Sequence, residues 1–294
     1  MTIELPRRPG DGHKGTFGTV LVVGGCNDSD SMMLGGPAFA ALGALRSGAG
    51  RCVLATPAGV LAESLRVAPS ATGLPLQDDS RATDRLQEVA ADVDAEVLGP
   101  GLGRSASAVD VVRSRLEADG PPLVLDADGL NVLAEHVDMT IGTRIRVLTP
   151  HPGEYMRLAC AYGLPDAGGD DASRTLAAGA LARHTGSVAV LKGSRTIVSD
   201  GVRHWICEVG SVVLATAGTG DVLAGIIGGL LAQPSKNDAF ANAVLGTWLH
   251  AVAGDLWASR NGDRGLLAAE LASTVPEVIH ACTMGHRELP DVPS

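Results

Sequence analysis

Short, wholly apolar runs alternate along the chain with longer stretches rich in Ala and Leu. Residues 19–23 (TVLVV) run into Gly24-Gly25, the profile of a strand buried on both faces. Residues 38–47 read as a helix stopped by Gly48 and Gly50, and 51–56 as a strand ended by Pro57. A short strand over 95–98 leads into Gly99-Pro100-Gly101-Leu102-Gly103, and Ser105 caps a helix over 106–118. A strand at 123–126, a helix at 128–135 and a strand at 144–148 follow. Strands alternating with helices predict a mostly parallel sheet covered on both faces. The pattern changes at 188: strands at 188–192, 196–199 and 202–206 come close together, with Asp200-Gly201 as a type I′ hairpin signal before the last. After Ala217 the chain turns helical, over 221–231, 238–258 and 268–281. Residues 165–171 read as a surface loop. No repeat or internal boundary is visible, so 1–284 reads as one domain and 285–294 as a flexible polar tail.

Composition narrows this picture. A chain of 294 residues, 45% hydrophobic and 19% charged, can bury a large α/β core. Aromatics at 3% leave that core to aliphatic residues and give little stacking surface for single-stranded nucleic acid. A net charge of -10 with no basic run argues against nucleic acid and anionic membranes as partners. The 5 cysteines are odd in number and lack metal or redox spacing, so they read as buried free thiols in a reducing cytoplasm. Residues 1–12 are polar and have no signal-peptide core. The apolar stretch 212–232 carries Asp221 in its middle; a mid-membrane Asp costs about 2.5–3.5 kcal/mol, which argues against a membrane span.

Chemistry concentrates in Ala215-Thr216-Ala217-Gly218-Thr219-Gly220-Asp221. Glycines there let backbone approach a ligand. The helix that follows offers free N–H groups and a dipole that favour an anion. Asp221 at the helix start is either an N-cap or a general base beside a phosphate cradle. Asp126 and Asp128, after a strand, are either a polar strand end with a helix cap or metal ligands. Glu154 reads as a first-turn acid complementing a helix dipole. Gly101 to Ala106 matches the dinucleotide fingerprint of nicotinamide-dependent dehydrogenases, with Asp126 at the next strand end. That reading leaves the Gly218–Asp221 segment unexplained.

The 215–221 segment resembles the anion-hole and catalytic-Asp signature of ribokinase-like kinases. His13-Lys14-Gly15-Thr16-Phe17-Gly18, Leu148-Thr149-Pro150-His151-Pro152-Gly153-Glu154 and Val190-Leu191-Lys192-Gly193-Ser194-Arg195-Thr196 narrow it. With the 99–103 turn, these segments resemble the NAD(P)H-hydrate dehydratases in order and spacing, from about residue 13 to 276. The resemblance implies a ribokinase-like three-layer α/β/α sandwich, a mostly parallel central sheet with a β-hairpin at one side. It implies an activity: ADP phosphorylates the hydroxyl of hydrated NADH or NADPH, and phosphate then leaves, giving NADH or NADPH, AMP and phosphate. It implies roles: Asp221 as the base that also touches the hydrate, and Gly218, Thr219 and Gly220 as the anion hole. Gly36, Pro37, Gly103 and His151 would contact the hydrate, and Lys192, Gly193, Ser194, Arg195, Thr196 and Gly220 the adenine nucleotide. Mg²⁺ as a phosphate partner and a homo-oligomer, typically a tetramer, are also implied. The epimerase domain often fused to this family has no room in the chain.

The sequence departs from the family at 26–32, a longer and more acidic loop after the first strand, at Ser211, and at Ala217 in place of a common Gly. Ala is small enough for the anion hole to survive. Competing readings are an ATP-dependent kinase of a vitamin precursor or sugar, a nicotinamide-dependent dehydrogenase, and a non-catalytic nucleotide sensor on the same scaffold. The His-Pro-Gly-Glu segment argues against the first and an intact Asp221 against the last. No P-loop motif is present.

Overall fold

The computed structural model describes residues 3–28, 31–77, 81–141, 144 and 146–291. The first strand, β1 (Thr19–Val23), is followed by a small ribbon of β2 (Cys26–Asn27) and β3 (Met32–Met33), and then by α1 (Gly35–Arg46). Next come β4 (Arg51–Pro57), α2 (Ala58–Val67), β5 (Thr72–Leu76) and α3 (Arg81–Ala90). The middle of the chain supplies β6 (Ala95–Leu98), α4 (Ala106–Glu117), β7 (Leu123–Leu125), α5 (Ala127–Glu135) and β8 (Arg146–Leu148). Two helices, α6 (Pro152–Tyr162) and α7 (Asp171–Thr185), precede β9 (Val188–Leu191), β10 (Ile197–Ser199) and β11 (His204–Ile206). The chain ends in α8 (Thr219–Ala232), α9 (Ala239–Asn261) and α10 (Ala268–Thr283).

The main sheet has the order β11-β10-β9-β8-β7-β6-β1-β4-β5. Its pairings are parallel except β9–β10 and β10–β11, which place the hairpin at one edge as expected. The strands are buried on both faces. Val20 and Val22 of β1 join the cluster under α1, α8, α9 and α10, while Leu21 and Val23 join the one under α3 to α7. This period-2 division explains why β1 is apolar at every position from Val20 to Val23. Sequence periodicity passed over α2, β5, α3, α6 and α7. Helix α3 does carry a helical pattern, with Ala82, Leu86, Val89 and Ala90 on one face and polar residues elsewhere, although only Leu86 and Ala90 are buried. The surface loop expected at 165–171 lies between α6 and α7.

Some expectations need correction. The hairpin turn is centred on Gly201-Val202, with Asp200 N–H donating to Arg203 O at 3.2 Å. Only Gly201 there has positive φ (92°). A type I′ turn needs two such residues, so the turn follows the II′ pattern with glycine first. Asp200 instead accepts from the Val202 and Arg203 amides. Among the cysteines, Cys26, Cys52 and Cys207 are buried, but Cys160 is exposed and Cys282 half-buried. In the tail, Leu289 packs back onto the core, and 292–294 lie outside the described residues. No described helix is long and apolar enough to cross a membrane. The apolar character of α8 has another cause: it lies between the sheet and α1, α9 and α10, so nearly its whole circumference is buried.

Small residues allow that burial. A β-carbon on Gly225 would lie 2.0 Å from the Ala40 carbonyl oxygen, and one on Gly43 would lie 2.3 Å from that of Val222. Helices α1 and α8 therefore meet backbone to backbone. Gly225→Ala should force them apart and cost about 1–3 kcal/mol, read as a lower urea midpoint with an unchanged m-value. An unchanged midpoint would mean that the helices separate without cost.

Candidate active site

Following β1 the chain moves outward to β4 and β5, then returns to the other side of β1 as β6. Ligands bind at such a switch point, beyond the carboxyl ends of the strands. Here the two glycine-rich turns meet: Gly25 N–H donates to Pro100 O at 3.0 Å, and Gly99 N–H to Val23 O at 3.0 Å. Gly36 at the start of α1 is so close that a β-carbon there would lie 3.1 Å from the Pro100 carbonyl carbon. Pro37 packs under Gly24 and Gly25, and Gly103 lies beneath Cys26 and Asp28. The structure thus brings Gly36, Pro37 and Gly103 to one place. A cavity of about 390 Å³ opens beyond them, between Asn27, Ala58, Gln77 and Ser105; nothing in the sequence pointed to it.

The next strand ends carry charge. Asp126, after β7, is almost fully buried and accepts from Thr149 Oγ1 and from Lys192 Nζ, each at 2.7 Å. Ala127 follows at φ 48°, a conformation costly outside glycine and typical of functional sites. It lets α5 start immediately, so that Asp128 turns back to accept from Gly103 N–H at 2.9 Å. Neither Asp is therefore a simple strand end, and the Asp126 side chain caps nothing. The dehydrogenase fingerprint fails on the same contacts, because Gly103 N–H and the Asp126 carboxylate already have partners.

His151 and Glu154 form a reciprocal cap on α6. His151 Nδ1 accepts from Gly153 N–H and Glu154 N–H at 3.0 and 3.3 Å, and Glu154 Oε2 accepts from His151 N–H at 2.7 Å. An accepting Nδ1 fixes the proton on Nε2, 3.2 Å from Glu154 Oε1. His151 is half exposed and burial lowers its pKa, Lys192 adding to the effect. Glu154 is more than a dipole complement. It is buried, and burial pushes its carboxyl up to about 7 against the pull of Lys192. The spacing from His151 to Glu154, which matches a capping box, was the signal that could have revealed the pair.

Lys192 directly follows β9 and is not a solvated charge: its side chain is 17% exposed, 2.7 Å from Asp126 and 3.8 Å from Glu154. Burial opposes its ammonium form, but the two carboxylates outweigh burial and raise its pKa. The loop that follows, with Gly193, Ser194, Arg195 and Thr196, is braced from α7. Arg174 donates to the carbonyl oxygens of Leu191, Lys192 and Arg195 at 2.9–3.2 Å.

Helix α8 closes the site. Its N-cap is Gly218 at φ 89°, a position that needs glycine, and Asp221 is the third helical residue rather than the cap. Asp221 makes no side-chain hydrogen bond to a described residue. Burial raises its pKa to about 7, with Asp126 adding and Lys192 opposing. Thr219 differs from its neighbours. Its hydroxyl donates to Leu214 O and Thr216 O, and its N–H already reaches Thr216 O at 3.3 Å. The amides of Gly218, Gly220 and Asp221 have no such partner. The free donors of this terminus are thus Gly218, Gly220 and Asp221, with Thr219 as the brace. A β-carbon on Gly220 would lie 3.4 Å from Lys192 Nζ, so the ammonium faces this cradle. Ala217 has no positive φ, which explains why a side chain is tolerated there. Among the described residues no three His, Cys, Asp or Glu side chains converge to hold a metal ion.

The site therefore combines an uncapped helix terminus, one ammonium and carboxyls held near neutrality, around the strand ends where a ligand binds. Known proteins of similar sequence and fold identify the family. Residues 20–277 match the family model described as NAD(P)H-hydrate dehydratase. The ADP-dependent (S)-NAD(P)H-hydrate dehydratase of Neisseria meningitidis is 39% identical over 273 residues, 90% of this chain and 86% of that protein. The bifunctional NAD(P)H-hydrate repair enzyme of Moorella thermoacetica is 39% identical over 290 residues, 94% of this chain and 52% of that protein. The chain spans about half the length of such bifunctional relatives. The crystal structure of the ADP/ATP-dependent NAD(P)H-hydrate dehydratase of Bacillus subtilis, co-crystallised with ATP/Mg²⁺, superposes with a TM-score of 0.77 at 32% identity, over 94% of each chain. By its sequence and its fold, this chain belongs to the NAD(P)H-hydrate dehydratase family.

Proposed function

We propose that the protein dehydrates (S)-hydrated NADH and NADPH at the expense of ADP, releasing AMP and phosphate. The observation that carries the reading is Asp221: a carboxyl held near neutrality with no hydrogen-bond partner, beside free amides and Lys192. A base with a pKa near the working pH removes a hydroxyl proton most effectively. Asp221 takes the proton from the hydrate hydroxyl as its oxygen attacks the terminal phosphorus of ADP. The amides of Gly218, Gly220 and Asp221, with Lys192, hold the charge on the transferred group. Phosphate then leaves the ring carbon, the neighbouring C–H proton is lost, and the double bond is restored. Phosphate leaves far more readily than hydroxide.

The turn at Gly36, Pro37 and Gly103 and the exposed ring of His151 border the space for the hydrated dinucleotide. Gly193 to Thr196 border that for the adenine nucleotide. Mg²⁺ fits only as an ion carried on nucleotide phosphates, since the protein alone offers no closed ligand set. Magnesium sites of that kind use one or two carboxylates plus phosphate and water. Asp126 and Glu154, beside Lys192, are the carboxylates in place to hold it, and it would neutralise phosphate charge there. The same reading makes the protein a cytoplasmic homo-oligomer, tetrameric by family resemblance, with small-molecule partners.

The test mixes purified protein with NADPH hydrate, Mg²⁺ and either ADP or ATP, and follows the absorbance of restored dihydronicotinamide. Recovery with ADP is expected. Recovery only with ATP overturns the donor. No recovery with either, from folded protein that binds nucleotide, overturns the reaction and favours a small-molecule kinase.

A further inference from the structure

The cradle at α8 has a support that the catalytic reading does not use. His250, on α9, lies beneath the first turn of α8 with Nε2 2.9 Å from the Thr219 carbonyl oxygen. A carbonyl oxygen only accepts, so the imidazole must donate its Nε2–H. Burial, with Lys192 nearby, pushes His250 down to about 4, so the ring is neutral at working pH and holds that proton as a tautomer. A neutral donor fastened to one backbone carbonyl is a specific arrangement, since an aliphatic side chain would fill the same space without directing anything.

The consequence lies in the peptide unit. The Thr219 carbonyl and the Gly220 N–H belong to one rigid plane and point in opposite directions. Holding the carbonyl from the α9 side fixes where the Gly220 N–H points, toward the cradle that Lys192 faces. The bond also polarises the peptide, which strengthens its N–H as a donor. Gly220 has particular need of this, because as a glycine it has more backbone freedom than its neighbours. Thr219 is tied from its other side by its hydroxyl bonds to Leu214 O and Thr216 O. Side chain and carbonyl together leave this residue little freedom.

We infer that His250 is a positioning residue: by holding the Thr219 carbonyl it aims the Gly220 amide at the transferred phosphoryl group. The inference rests on the reading of the α8 terminus as a phosphoryl site. His250 touches neither substrate nor nucleotide in this account, and its effect belongs to the transition state rather than to ground-state binding.

The test compares His250→Leu, which removes the donor, with His250→Gln, whose amide N–H can reach the same carbonyl. Two measurements are made: turnover with ADP and NADPH hydrate, and calorimetric affinity for ADP and for AMP with and without aluminium fluoride, a mimic of the transferred phosphoryl. His250→Leu should lower kcat about 10- to 100-fold, less than the ~10²–10³ for removing a donor outright. Its KM and its affinity for nucleotide alone should stay within about threefold. The extra affinity gained from fluoride should fall about tenfold or more, and His250→Gln should recover most of both losses. If Leu leaves kcat and fluoride-dependent affinity within about twofold, the inference is wrong. Equal losses in Leu and Gln, with nucleotide affinity falling alongside, would make His250 a packing residue and also overturn it. Should the wild type bind the fluoride complex but not restore the hydrate, the proposed reaction fails and the calorimetric comparison alone decides on His250. If it does neither, there is no phosphoryl cradle to position, and both fall.

Discussion

Asp221→Asn is expected to lower turnover by about 10²–10⁴-fold, the range for loss of a general base, while leaving nucleotide affinity within a few-fold. Asn matches the shape of Asp, and Asp221 has no hydrogen-bond partner whose loss would disturb the fold. The variant should also be more stable than the wild type at alkaline pH, an outcome that a simple helix cap would reverse. The carboxyl's folded pKa, about 7, lies above its ordinary 3.8. Between those values the folded protein binds more protons than the unfolded chain, so wild-type stability falls as pH rises through about 4 to 7. Asn carries no such penalty. The difference in Tm should be near zero at pH 4 and reach a few degrees in favour of the variant at pH 8. Near-normal turnover, or a variant less stable at pH 8, would remove Asp221 from the chemistry. The same pKa sets the wild-type rate profile: activity should rise with pH through about 7 as the base form appears.

Lys192→Met should have effects of similar size on two properties at once. Lys192 lowers the pKa of both Asp221 and Glu154, so its loss should move the acid limb of the rate profile above pH 7. It should also cost about 10²–10³ in kcat through the lost stabilisation of phosphoryl charge. The stability cost comes from Asp126, whose side chain is 1% exposed and whose ion pair would be broken. Stranding a buried charge in this way costs about 3–5 kcal/mol. The double variant Lys192→Met/Asp126→Asn separates the two effects. It should regain most of the stability, measured by urea unfolding at pH 8, and none of the activity. If the double variant is as unstable as the single one, the pair does not contribute as described. If the single variant keeps its rate and profile, Lys192 does not face the reacting group.

The parallel sheet was readable because β1 is apolar without a break from Val20 to Val23, which only a strand covered on both faces requires. The hairpin edge was readable from closely spaced strands separated by a turn signal, although the turn type was not. Both depend on local backbone preferences, and in Gly201-Val202 the residue that decides the type lies one position later than the Asp-Gly signal suggests. Helix α3 was legible too, since Ala82, Leu86, Val89 and Ala90 repeat at helical spacing in an otherwise polar segment, but it was passed over.

The sequence by itself determined the scaffold and the glycine turns and marked Asp221 at the start of an apolar helix, while Lys192 was singled out only by the family resemblance. It could do so because strand burial, turn formation and helix starts depend on neighbouring residues. Only the tertiary structure decided what those positions do together. Asp126, Glu154, Lys192 and Asp221 lie up to 95 residues apart in number, and each has an ordinary reading alone. The perturbed ionisation of Glu154, Lys192 and Asp221 comes from mutual burial at the ends of adjacent strands, where low dielectric lets one ammonium and its neighbouring carboxyls feel one another strongly. Likewise, His250 on α9 had no mark in the sequence. Its place beneath the Thr219 carbonyl exists only because α8 and α9 pack against each other.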